Sequence, residues 1–156
     1  AAASGTRASS LYRHFAGKGE LLAAVYYRAA DRVAATTAEA LAAASSPADA
    51  LSRLVDSYAG MVFGQSDLVA VYHAENTNLP EADRHELRRA QRAHVEEWVR
   101  VLGLERPELS SADCRILAHG ALNLIADLAR AVRYDSSAGA DRVIAALALD
   151  LLTAPS

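Results

Sequence analysis

Apolar residues recur at helical spacing along most of this chain. Leu22, Val25, Tyr26, Ala29 and Val33 form one such set; Leu51, Leu54, Val55, Tyr58, Met61 and Val62 form a second. A third runs through Leu87, His94, Val95, Trp98 and Val101. This spacing collects each set on one face of an α-helix and would scatter it over both faces of a strand. No stretch alternates apolar and polar residues for long, and only four prolines and eight glycines interrupt the chain. The apolar residues are mostly Ala, Leu and Val, with few aromatics, which favours helix over sheet. An all-α fold follows. The 156 residues suit one domain, or one domain with a small appendage, and a hydrophobic content of 52% is enough for a core.

Breaks in the pattern set the expected elements. Ala1 to Ser4 reads as the end of a helix, Gly5 as a turn, and residues 8–15 as a short helix. Gly17 starts the next helix, with Glu20 in the third position of a capping box, and it runs to about Ala44. Ser46 then caps a helix with Pro47 in its first turn. A break near Gly64 leads to a shorter helix from Asp67 to Glu75. The loop "NTNLPEAD" precedes a long charged helix from Glu81 to Leu102. After "GLERPELSSAD", Ser110 or Ser111 caps a helix from Ala112 to about Tyr134, and the last helix spans Ala140 to Leu152.

The last two long helices are apolar almost all round, as in "ILAHGALNLIADLA". Such helices need burial on more than one side. Either they form the core of a monomer, or a second copy covers the remaining stripe. The expected assembly is a homodimer through helices near 112–134 and 140–152.

The net charge of −3 is unevenly spread. Residues 1–32 carry five positive charges against two negative; the remainder carries 11 against 17. A basic head on an acidic body points to a polyanionic partner for the head. The lone Cys114 has no disulfide partner, no Cys/His cluster has metal-ligand spacing, and no cofactor is implied. No apolar run reaches membrane-span length and no signal peptide opens the chain, so a cytoplasmic location is expected.

The head carries the most pointed chemistry. A helix end, a turn at Gly5 and a second short helix make a helix-turn-helix. Leu11 and Phe15, four residues apart, anchor the second helix inward. Ser9, Ser10, Tyr12, Arg13 and His14 supply the hydroxyl, phenol, guanidinium and imidazole groups that contact phosphates and base edges. Lys18, the only lysine, falls in the first turn of the following helix, where the helix dipole disfavours a cation by roughly 0.3–1 kcal/mol. A phosphate at that helix end would reverse the sign.

The run "AAASGTRASSLYRHFAGKGELL" resembles the helix-turn-helix of TetR/AcrR-type transcriptional regulators. The core of that motif, Leu-Tyr-x-His-Phe-x-x-Lys-x-x-Leu, reads onto Leu11, Tyr12, His14, Phe15, Lys18 and Leu21 without a gap. By this resemblance Tyr12, His14 and Lys18 contact operator phosphates, while Ser9, Ser10 and Arg13 lie in or beside the major groove. Arg7 stands where the family usually has a capping Ser, as an added groove or phosphate contact or as a sign of a different turn. Thr6 stands in a usually apolar slot, and Gly17 and Gly19 replace a capping Ser and an acidic residue. The implied architecture is a partial head, residues 1–22, followed by a helical-bundle ligand-binding and dimerisation domain, residues 23–156. The family's first helix and most of its second have no counterpart ahead of Ala1. These 156 residues alone are therefore expected to bind DNA poorly.

The resemblance further implies a repressor released from a palindromic double-stranded DNA operator by a small effector. Candidate pocket residues are Tyr58, Met61, Tyr72, His73, Asn76, His94, Trp98, His119, Asn123 and Asp127. A mostly apolar cavity with a few polar groups suits a hydrophobic ligand. Each of these residues has a plainer reading as core, and Asn123 and Asp127 can instead pair across a dimer or hold buried water. Two rivals remain. No nucleophile with its base and orienter, and no metal motif, supports an enzyme. A helical dimeric small-molecule-binding or adaptor protein without a DNA role is the alternative.

Overall fold

The computed structural model describes residues 17–65, 79–132 and 139–155. The described residues form five helices: α1 (Lys18–Ala42), α2 (Pro47–Gly64), α3 (Glu81–Glu105), α4 (Ser111–Val132) and α5 (Ala140–Thr153). No described residue is in a strand. The expected elements at 1–16, the helix at Asp67–Glu75 and the loop residues 76–78 lie outside the described residues. The boundary expected after residue 22 falls within the continuous helix α1.

Local chemistry sets the helix ends. At α2 the Asp49 amide donates to the Ser46 hydroxyl at 3.1 Å, and Pro47 occupies the first turn, where its missing N–H costs nothing. At α4 the cap is Ser110, whose hydroxyl accepts from the Asp113 amide at 3.1 Å. At α5 the chain enters through Gly139 at φ 91°, a left-handed conformation that glycine adopts without a side-chain clash. Gly17 precedes α1 and provides no side-chain cap. One expected boundary moves: α3 continues past Leu102 to Glu105, through Gly103. The loop that follows is correspondingly shorter, and Arg106 is its first residue.

Two apolar clusters hold the helices. The larger joins α2, the second half of α3, α4 and α5 around Leu51, Leu54, Trp98, Leu102, Ile125 and Leu152, each at most 1% exposed. Here α4 and α5 pack closely: a Cβ added at Gly120 would come within 3.3 Å of a Leu151 methyl. The smaller cluster lies toward the start of α1, where Ala23 and Tyr26 meet Leu79 and Leu87. Beside it the Tyr27 hydroxyl donates to Asp83 Oδ1 at 2.8 Å, tying α1 to α3. At the far end of α3, Arg115 of α4 makes a two-pronged pair with Glu96 at 2.9 and 3.1 Å.

The expected all-round burial of the last two helices is only partly met within one chain. Cys114, Ala118, Ala121, Leu122, Ile125, Ala126 and Ala129 give α4 one buried face. Ile116 on the other side is 70% exposed, and Val143 and Leu147 of α5 are 61% and 47% exposed. Val143 and Leu147 stand four residues apart and so share a face of α5.

Candidate functional site

Three of the expected pocket residues come together. Tyr58 of α2 and His94 and Trp98 of α3 form an aromatic triangle, with ring centroids 5.6 Å (Tyr58–His94), 6.0 Å (Tyr58–Trp98) and 6.0 Å (His94–Trp98) apart. Both contacts to Trp98 are edge-on, the arrangement favoured by ring quadrupoles. The positions follow from period: His94 and Trp98 are four residues apart on α3 and therefore stack along one face. Met61, nearly one turn beyond Tyr58, packs partly buried against the same core.

Polar atoms in this triangle are incompletely satisfied. Trp98 Nε1 and His94 Nε2 are buried and have no hydrogen-bond partner among the described residues. The other ring nitrogen, His94 Nδ1, lies 3.2 Å from the Thr37 hydroxyl of α1. Burial pushes the His94 pKa down to about 4, against an opposing pull from the Glu97 carboxylate, so the ring is neutral at neutral pH. Unpaired buried donors and acceptors are uncommon in folded proteins, so each calls for a physical reason.

The His94 ring also forms part of the wall of a cleft between α1 and α3, with a volume of about 480 Å³. Helix α1 contributes Ala30, Val33, Ala34, Thr37, Ala38 and Leu41; α3 contributes Ala90, Ala93, His94 and Glu97. Each set is spaced three and four residues apart, so each is a single helical face. Five of these ten residues are alanines, whose one-carbon side chains leave the space between the helices unfilled. Sequence reading singled out only His94 from this set. The usable signal was the pairing of an alanine stripe on α1 with Ala90 and Ala93 on α3, but alanine at helical spacing reads equally well as close packing.

Other expected positions lie elsewhere. Asn123, Asp127 and His119 are exposed on α4 and do not join the aromatic triangle. The face they occupy points away from the buried stripe of α4, because residues 123 and 127 fall between its buried positions. Asn123 and Asp127 sit seven and eleven residues beyond Ile116, on its exposed side of the helix, and Asp127 pairs with Arg130. Tyr72, His73 and Asn76 lie outside the described residues. So do Arg7, Ser9, Ser10, Tyr12, Arg13 and His14. Of the expected DNA contacts only Lys18 is described: it is exposed and is the first residue of α1. Among the described residues no group of three or more His, Cys, Asp or Glu can hold a metal ion, and no helix is long and apolar enough to cross a membrane.

Neither a protein-family model nor a curated protein matches the chain. A solved structure does. The crystal structure of a TetR family transcriptional regulator, PfmR from Thermus thermophilus, matches with a TM-score of 0.78 at 22% identity. The match covers 92% of this chain and 80% of that one. The helices described above therefore have the all-α fold of a TetR family transcriptional regulator, the fold that the motif at residues 11–21 led us to expect.

Proposed function

We propose that this chain is a ligand-responsive DNA-binding transcriptional regulator, acting as a repressor that a small hydrophobic effector releases from a palindromic operator. The observation that carries the reading is the fold, which matches that of a TetR family regulator over 92% of the chain. The sequence motif supports it independently: its Lys18 stands at the start of α1, the helix that leads from the motif into the body. In this reading Tyr12, His14 and Lys18 hold phosphates, and Arg7, Ser9, Ser10 and Arg13 lie at the groove. Lys18 then adds its charge to the positive end of a helix dipole, an arrangement suited to an anion.

The regulator works as a homodimer through α4 and α5. Ile116, Val143 and Leu147 are apolar and exposed on these two helices, and a second copy would cover them. Asn123 and Asp127, on the same side of α4 as Ile116, would then face the partner rather than an effector. The effector would enter the body near Tyr58, Met61, His94 and Trp98, where buried nitrogens lack partners among the described residues. Two recognition helices reading half-sites about one helical turn apart tolerate little change in spacing. A ligand that shifts α1 therefore weakens operator binding.

Fluorescence anisotropy with the full-length protein and palindromic DNA from beside its own gene tests the reading. Binding should weaken steeply as salt rises, because phosphate contacts release counterions. Absent or salt-insensitive binding would overturn it.

A further inference from the structure

We infer that the cleft between α1 and α3 is a binding site for a neutral, mostly apolar molecule that carries a hydroxyl group, held by the Thr37–His94 pair. The inference deepens the regulator reading by giving the effector a place and a chemical class. Its volume of about 480 Å³ lies within the range of about 300–1,000 Å³ usual for small-molecule sites. Most of its lining is aliphatic, which suits an apolar body.

The polar groups define the rest of the ligand. Thr37 and His94 face each other across the two helices at 3.2 Å, and the Thr37 hydroxyl, which lines the cleft, can make a second hydrogen bond beside the one to His94 Nδ1. The ring is neutral, so one of its nitrogens is a donor and the other an acceptor. The tautomer decides whether the Thr37 hydroxyl is left to donate or to accept, and a ligand hydroxyl can do either. Charge argues against an anion: Glu97 is the one ionised group among the described lining residues, and none of them is a Lys or Arg. A carboxylate entering this cleft would lose its water and meet a like charge.

Trp98 is the only tryptophan of the chain, and its ring centroid lies 6.0 Å from that of His94. Its emission therefore reports on the cleft without a label. Decan-1-ol titrated into the full chain should change that emission saturably. Sodium decanoate, the same chain with an anionic head, should need roughly tenfold higher concentration. Ala34 and Ala93 are exposed cleft residues, so the Ala34→Leu/Ala93→Leu double variant should fill the site while keeping the wild-type circular dichroism spectrum. That variant should lose the alcohol response. His94→Phe should keep the apolar wall but remove most of the preference for alcohol over carboxylate. A missing alcohol response, equal responses to the two probes, or a response that survives the filled cleft would each overturn the inference. Because the binding is read without DNA, failure here leaves operator binding untouched, and failure of operator binding leaves this result standing.

Discussion

The Thr37 hydroxyl of α1 lies 3.2 Å from Nδ1 of His94 on α3, and this bond places a half-buried, neutral imidazole between the two helices. The consequence is a dependence of stability on pH. Folding lowers the His94 pKa from 6.5 to about 4, so the unfolded chain takes up a proton that the folded chain refuses. The stabilisation from keeping the ring neutral is complete above pH 6.5 and is lost as pH falls toward about 4. Between about pH 7.5 and about pH 5 the loss should reach about 2 kcal/mol. Urea unfolding at the two pH values measures it, and His94→Gln should remove that part of the slope. A variant with the same pH slope as the wild type would show that His94 does not cause it.

Arg106 is a buried guanidinium, its side chain 11% exposed, at the start of the loop between α3 and α4. It donates to Glu108 Oε1 at 2.8 Å and to the Leu152 carbonyl at 3.3 Å. The second bond satisfies a carbonyl in the last turn of α5, where intrahelical donors have run out. Arg106→Ala should therefore destabilise the fold by about 1–3 kcal/mol, chiefly by leaving that carbonyl buried and unpaired. Arg106→Lys should recover only part, because an ammonium cannot reproduce the planar fork that spans both acceptors. Thermal unfolding of the two variants would show the order wild type, Lys, Ala.

The exposed Ile116 and Leu147 test the proposed homodimer. Their side chains contribute little to the core of one chain, so Ile116→Glu/Leu147→Glu should leave helicity unchanged. In a dimer the new carboxylates would be desolvated and would face each other, at a cost of several kcal/mol. Sedimentation velocity should then show the wild type as a dimer and the variant as a monomer at the same concentration. A variant that remains a dimer would place the interface elsewhere.

Much of this arrangement was legible in the sequence because it is written in local chemistry. Ser46 with Pro47, and Ser110 ahead of an apolar run, mark helix starts through bonds made within three residues. The buried stripes of α2 and α3 follow from period alone, and His94 and Trp98 were placed on one face for that reason. The meeting of Tyr58 with them is different: it depends on how two helices cross, which spacing does not determine. The cleft was missed for a related reason. Whether facing alanines draw two helices together or leave a space is decided by the larger residues around them, here the Tyr26–Leu87 cluster on one side. Asn123 and Asp127 show the limit from the other direction. Their i, i+4 spacing correctly gives them a common face, but the buried positions Leu122, Ile125 and Ala126 turn that face outward.

Lys18 separates stability from function by sign. It is exposed at the first position of α1, where Gly17 gives no side-chain cap and the unpaired amides already make the helix end positive. In the free protein a cation there is unfavourable, so Lys18→Glu should raise stability by roughly 0.3–1 kcal/mol, less at high salt. If Lys18 grips an operator phosphate, the same substitution should weaken DNA binding for all sequences alike and reduce the salt slope by about one. Chemical denaturation and anisotropy titrations on the same full-length protein measure the two effects. A variant that is both more stable and unchanged in DNA binding would remove Lys18 from the interface and leave it an ordinary surface residue at an unfavourable helix position.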